Sequence, residues 1–256
     1  LWHLSPTVPA ETSFEGIIPV SALAKSPVRD LEADIAAIKA QIAASLAAAS
    51  VSETPYRHWT WSQLFPQTVV DALFDLPFKA PELDGISGKR ELHNDTRTYF
   101  DDENIARRPV CEALARAFHD GDTVAMLAEA TGARLDDTFL RIEFAQDVDG
   151  FWLQPHTDEG AKMITILYYL AEPGQEDLGT DVYSARDNWA ERAPFVCNQA
   201  LVFVPGDHTW HGFEPRKIDG VRKSVIINYV SHEWRDRSQL AYNTMPVRAS
   251  KRLRTA

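Results

Sequence analysis

Trp152-Leu153-Gln154-Pro155-His156-Thr157-Asp158 reads as a short extended run in which residues two apart point the same way, so His156 and Asp158 project together from one side of a strand. Pro155 suits the end of an edge strand, where a missing N–H costs no ladder bond. The same period of two recurs on both sides of this run. From Thr138, Leu140, Ile142 and Phe144 alternate with Arg141 and Glu143. Beyond it come Met163 to Leu170, the apolar run Ala200-Leu201-Val202-Phe203-Val204 closed by Pro205-Gly206-Asp207, and Arg222-Lys223-Ser224-Val225-Ile226-Ile227-Asn228-Tyr229-Val230. Several short strands separated by turn residues predict a sandwich or barrel.

His156 and Asp158 supply an imidazole and a carboxylate to one point, and a second imidazole would complete a metal site. Two imidazoles and one carboxylate can occupy one face of an octahedral iron(II) ion and leave the opposite positions open, whereas a thiolate-rich set suits zinc or clusters. The second imidazole must come from a distant strand. Asp207-His208-Thr209-Trp210-His211-Gly212 offers His208 and His211, three residues apart. Arg222 and Ser224 share a strand face, and a permanently charged guanidinium beside a hydroxyl is a receptor for a second carboxylate, held away from the metal.

The order H-x-D, H, R-x-S, with Arg222 eleven residues after His211, resembles the iron(II)- and 2-oxoglutarate-dependent dioxygenases. The segment Thr165-Ile166-Leu167-Tyr168-Tyr169-Leu170 looks like a strand of their prolyl-hydroxylase-like branch, and the likeness spans roughly residues 138 to 232. The resemblance implies a double-stranded β-helix, or jelly roll, with His156, Asp158 and His211 as the metal ligands. His208 is then solvent-facing or a neighbour of the site. It implies 2-oxoglutarate as co-substrate, chelating Fe(II) at one end and held at the other by Arg222, Ser224 and Tyr169. O2 is then consumed, ascorbate acts as a stimulant, and succinate and CO2 are released as a C–H bond is hydroxylated. The implied partner is an amino-acid, peptidyl or small-metabolite substrate. A cupin-like metal-binding jelly roll, acting as isomerase, sensor or inactive scaffold, is the alternative; such a protein needs no anchor for a distal carboxylate.

The preceding half is helical in pattern. Leu31, Ile35, Ile38, Ile42 and Leu46 recur at spacings of three and four in an alanine-rich stretch, predicting an amphipathic helix that packs on the barrel. A break at Ser52-Glu53-Thr54-Pro55 leads to an aromatic patch, Tyr56, Trp59 and Trp61, read as core packing with a lid or a recognition surface as the alternative. Val69, Val70, Leu73 and Phe74 mark a second helix. Val110, Leu114 and Phe118 mark a third, opened by Pro109 and ended by Asp120-Gly121-Asp122, and a fourth runs from Thr123 to Gly132. The expected whole is α+β: one catalytic domain with an irregular segment over 1–28, a mainly helical part over 29–135, the jelly-roll core over 136–232 and an extension over 233–256.

A chain of 256 residues with 45% apolar content can bury one sizeable core. Twenty-six basic against thirty-seven acidic side chains give a net charge of −11, which argues against nucleic acid or an anionic membrane as the main partner. Cys111 and Cys197 make no disulfide framework, and no apolar stretch approaches the ~20 residues needed to span a bilayer. The start, Leu1-Trp2-His3-Leu4, lacks a basic segment followed by an apolar run, so the expectation is a cytoplasmic enzyme. The sequence assigns neither an oligomeric state nor a particular substrate.

Overall fold

The structure is a computed structural model that describes residues 30–83 and 97–251. The irregular segment expected over 1–28 lies outside the described residues, as do the last residues of the C-terminal extension. Strands β4 (Phe139–Asp147), β6 (Lys162–Leu170), β9 (Gln199–Phe203) and β11 (Arg222–Val230) are the alternating runs read from the sequence, and they pair antiparallel in the order β9-β6-β11-β4. Short strands extend this sheet to seven: β1 (Ser50–Ser52) and β2 (His58–Ser62) at one side, β3 (Thr98–Tyr99) at the other. A second sheet of four, ordered β5-β10-β7-β8, is made from β5 (Leu153–His156), β10 (Trp210–Phe213), β7 (Asp181–Ala185) and β8 (Asn188–Arg192). The two sheets form the jelly-roll core.

The period of two sorts each central strand onto two different surfaces. Leu140, Ile142, Phe144, Ile164, Ile166, Tyr168, Ala200, Val202, Val225, Ile227 and Tyr229 belong to a core shared with the helices. Leu167, Tyr169, Leu201 and Phe203 instead pack in a second core with Val182, Phe195 and Phe213 of the small-sheet region. Strands buried on both faces carry near-continuous apolar runs, as these do. Arg141, Glu143, Asp147, Thr165, Ser224 and Asn228, polar residues of these strands, fall on the inter-sheet face by the same alternation and are buried.

Helix α1 (Leu31–Ala47) starts at Asp30, whose carboxylate accepts hydrogen bonds from Glu32 N and Ala33 N, and it buries Ile35, Ile38 and Ile42 against α4 (Pro109–His119) and α5 (Gly121–Thr131). The stripe is buried as the sequence indicates, but chiefly against these two helices instead of directly on the barrel, where it meets β2. Asp120 ends α4 and caps α5, which stops at Gly132 with φ 76°, a left-handed position where glycine carries no Cβ penalty. Helix α2 (Gln67–Phe74) matches the second pattern, whereas the short α3 (Asp102–Arg107), capped by Asp101 and burying no residue, was not anticipated. The aromatic patch is not a lid: Trp59 and Trp61 sit on β2, 4% and 0% exposed, and β2 pairs with β9. Among the described residues no helix is long and apolar enough to cross a membrane.

Asn198 ties the first of these layers to its neighbouring loop. It holds φ at 61°, is buried, accepts from Phe65 N at 2.9 Å and Tyr168 Oη at 3.2 Å, and donates to Phe65 O at 2.8 Å. Asparagine tolerates the left-handed region better than other side chains. Asn198→Ala should lose about 2–4 kcal/mol in urea unfolding, by stranding buried backbone groups and straining φ. Asn198→Gly, which relieves the strain but not the lost bonds, should lose less.

Candidate metal centre and adjoining cavity

β5 and β10 pair antiparallel with His211 directly opposite His156. Cross-strand partners present their side chains to the same side, and here the two imidazoles lie 4.4 Å apart between centroids, inclined at 50°. Gly212 permits this approach, because a Cβ there would stand 2.8 Å from Leu153 O and 3.2 Å from Pro155 N. Asp158, two residues beyond His156, completes the group, and the ligand atoms of His156, Asp158 and His211 all lie within 4.8 Å of one another.

Each imidazole is oriented by its own chain. His156 Nδ1 lies 3.0 Å from Gln154 O and His211 Nδ1 lies 3.0 Å from Thr209 O. A carbonyl oxygen only accepts, so each Nδ1 carries the proton and each Nε2 presents a lone pair, the tautomer that ligates a metal. The Asp158 carboxylate is held at both oxygens: Lys162 Nζ pairs with Oδ1, and Thr165 Oγ1 donates to Oδ2 at 2.6 Å. Each carboxylate oxygen keeps a further lone pair for an ion. His208 is exposed and contacts Asp207, apart from this group.

From Asp158 a chain of buried polar groups crosses the large sheet. Asn228 Nδ2 donates to Thr165 Oγ1 at 3.0 Å, and Arg141 Nη1 donates to Asn228 Oδ1 at 3.2 Å. Arg141 Nη2 then pairs with Glu143 Oε2 at 2.6 Å, and Arg97 Nε lies 3.5 Å from Glu143 Oε1. Asp147 receives Arg97 Nη1 at 2.7 Å on one oxygen and Arg222 Nη1 at 2.5 Å on the other. Three guanidiniums against two carboxylates leave this buried row one positive charge in excess. A negatively charged ligand is the one such a row favours.

His156, His211, Tyr169, Arg222 and Ser224 line a single cavity between the sheets, together with Arg97, Asp147, Thr180 and the rings of Phe151 and Phe213. Arg222 is clamped: Nε donates to Leu178 O at 2.6 Å, Nη1 pairs with Asp147, and the guanidinium lies 4.7 Å from the Phe213 ring centroid. It is thus not the open fork that the sequence suggests. Nη2 and the neighbouring Ser224 Oγ make no hydrogen bond among the described residues, and both residues line the cavity. Tyr169 donates to Thr180 Oγ1 at 2.9 Å, and burial pushes its phenol up, so it stays a donor at neutral pH. Asp181 on β7, opposite Gly212, braces the small sheet. Burial opposes its charge, yet hydrogen bonds from Arg216, Glu214 N and Arg192 hold its carboxyl below the usual range.

Arg97, Asp147, Thr165, Thr180 and the role of Lys162 were missed by sequence reasoning. Asp147 faces Arg222 only because β4 and β11 pair in that register, and Arg97 precedes a two-residue strand with no periodic signal of its own. Tyr168, beside Tyr169, faces the helices instead.

No family model matches the chain, and no curated protein matches it. Solved structures do. A prolyl 4-hydroxylase from Phytophthora capsici superposes with a TM-score of 0.51 at 15% identity over 82% of this chain and 68% of that one. A prolyl-4-hydroxylase from Pseudomonas putida gives 0.49 at 17% identity over 76% and 94%. HygX from Streptomyces hygroscopicus, solved with nickel and 2-oxoglutarate bound, gives 0.45 at 13% over 70% and 84%. At these identities the likeness is one of fold.

Thr165→Val keeps a β-branched strand residue and removes the hydroxyl that steadies Asp158. It should weaken iron(II) binding roughly 10- to 100-fold in an anaerobic chelator competition. His208→Ala should change it a few-fold at most. Equal affinities for the parent and Thr165→Val would contradict the orienting role.

Proposed function

We propose that the protein is an iron(II)- and 2-oxoglutarate-dependent dioxygenase that hydroxylates a C–H bond of an amino-acid, peptidyl or small-metabolite substrate. The observation that carries this reading is that His156 and His211, whose ligand atoms lie within 4.8 Å of one another and of Asp158, line one cavity with Arg222 and Ser224, whose remaining donors suit a carboxylate ligand. Two imidazoles presenting Nε2 and one carboxylate, with no thiolate, are the donor chemistry that suits iron(II). The fold shared with the Phytophthora capsici prolyl 4-hydroxylase is consistent with the same use.

Bound iron(II), with the 2-oxo acid and O2, would supply the oxidising power, releasing succinate and CO2. The chain's own part is to bind, orient and exclude. His156, Asp158 and His211 hold the metal from one side, with their orientations set by Gln154 O, Thr209 O, Lys162 and Thr165. Arg222 Nη2 and Ser224 Oγ receive the far carboxylate, and Tyr169 closes the wall beside them. Asp147 and Leu178 O fix the plane of the Arg222 guanidinium before any ligand arrives, so little rotamer freedom remains to be lost on binding. The rings of Phe151, Phe213 and Phe195 keep water from that end, which strengthens the charge-assisted bonds.

One observation favours a second reading. Because Asp147 already pairs with Arg222, the arginine could serve structure alone, as in a cupin-like metal-binding jelly roll without oxygenase activity. Anaerobic titration with iron(II) and 2-oxoglutarate separates the two. The oxygenase reading expects a visible metal-to-ligand charge-transfer band, lost in His156→Ala, Asp158→Ala and His211→Ala. Ser224→Ala, which leaves the Arg222–Asp147 pair intact, should raise the 2-oxoglutarate concentration needed by roughly 3- to 10-fold. No band from a folded, iron-loaded protein supports the cupin-like reading. Succinate release from labelled 2-oxoglutarate with ascorbate, across a panel of amino acids, peptides and metabolites, then narrows the substrate.

A further inference from the structure

Tyr56 lies in the turn between β1 and β2, and its ring is 3% exposed. It packs edge-on against Phe203 at 5.8 Å between centroids, and Phe203 lies 4.8 Å from the His211 imidazole. The phenol is therefore one aromatic ring removed from a metal ligand, in the same inter-sheet core as Tyr169 and Leu167. Its backbone is pinned by His58, whose Nδ1 lies 2.9 Å from Tyr56 O. The Tyr56 hydroxyl is buried and has no hydrogen-bond partner among the described residues.

A buried phenolic hydroxyl without a partner is costly, and folded proteins rarely keep one without a use. Trp61 Nε1 and Thr123 Oγ1 share that condition but lie on the helix side of the large sheet, away from the cavity. Tyr56 packs instead in the inter-sheet core with Leu167 and Tyr169, which line the cavity. Burial, and then the neighbouring Tyr169, Asp158 and Glu191, push its phenol well above the usual range, so it offers a proton and lacks an acceptor. Tyr169, whose hydroxyl donates to Thr180, does not accept from it in this structure. A ligand at the metal centre that brings anionic oxygens would supply one.

We propose that Tyr56 is a further binding residue of this centre, its hydroxyl donating to a carboxylate or keto oxygen of the 2-oxo acid held beside His211. The inference rests on the dioxygenase reading above and adds to it a residue from the N-terminal hairpin, outside the H-x-D, H, R-x-S pattern. It also gives β1 and β2 a use beyond widening the sheet: they carry a donor to the metal-proximal end of the co-substrate, opposite the end met by Arg222.

The test compares the parent chain with Tyr56→Phe by anaerobic titration of the iron(II)-loaded protein with 2-oxoglutarate, following the charge-transfer band. Iron(II) affinity should be unchanged, because Tyr56 is not a metal ligand. The 2-oxoglutarate concentration at half-saturation should rise roughly 10- to 100-fold, the range for one hydrogen bond to a charged group, and the band should shift in position. The metal-free Tyr56→Phe protein should melt at or above the parent's temperature, since an unpartnered buried hydroxyl has been removed; this shows that the weakened binding is not a folding defect. Unchanged 2-oxoglutarate affinity in a folded Tyr56→Phe protein overturns the role of Tyr56 and leaves the dioxygenase reading standing. Absence of the band from the parent overturns that reading and this one together.

Discussion

His156 and His211 meet because β5 and β10 pair in one register, and a slip of a single residue would turn His211 to the opposite face of the small sheet. Much of the molecule serves to hold that register. Gly212 lets the strands approach where a side chain would collide with Leu153 O, β7 pairs with the other edge of β10, and Asp181 on β7 is locked by Arg192 and Arg216. Phe203, delivered from the large sheet, packs directly on the His211 ring. The imidazole positions are thus a consequence of backbone pairing, while Asp158, beyond the end of β5, depends on side chains to hold it.

Those side chains belong to the buried polar row that crosses the inter-sheet face of the large sheet. Thr165, Asn228, Arg141, Glu143, Arg97, Asp147 and Arg222 connect in sequence, so Thr165, which bonds the candidate ligand Asp158, and Arg222 are ends of one chain of hydrogen bonds and ion pairs. Removing one member of a buried ion pair leaves an uncompensated charge and costs about 3–5 kcal/mol. The row is therefore stiff where an ordinary apolar core would tolerate repacking, and it holds both ends of the cavity before a ligand enters. Its excess of one positive charge favours an anionic ligand over a neutral or cationic one.

What could be read from the chain was local and periodic. The alternation in Leu140-Arg141-Ile142-Glu143-Phe144 and in Arg222 to Val230 told strand from helix, and the same period put Arg222 with Ser224; His156 and Asp158 do come together, but Asp158 lies past the end of β5 and is held by Lys162 and Thr165 instead of by strand alternation. The Ile35, Ile38, Ile42 stripe told of a packed helix. What could not be read was pairing. The His58–Ser62 run looked like an aromatic patch because a five-residue strand is recognisable only beside its partner, here β9. The closed state of Arg222, the clamp from Asp147 and the arrival of Arg97 and Tyr56 all arise from register or from hairpins that bring distant segments together, and none leaves a periodic trace.

X-ray absorption at the iron edge of the anaerobic iron(II)-loaded protein tests the central claim most directly. The account predicts outer-shell scattering from two imidazoles, with the remaining first-shell atoms oxygen or nitrogen and no sulfur, and the loss of one imidazole contribution in His156→Ala and in His211→Ala taken separately. A spectrum with fewer than two imidazoles, or one that neither substitution alters, would contradict it.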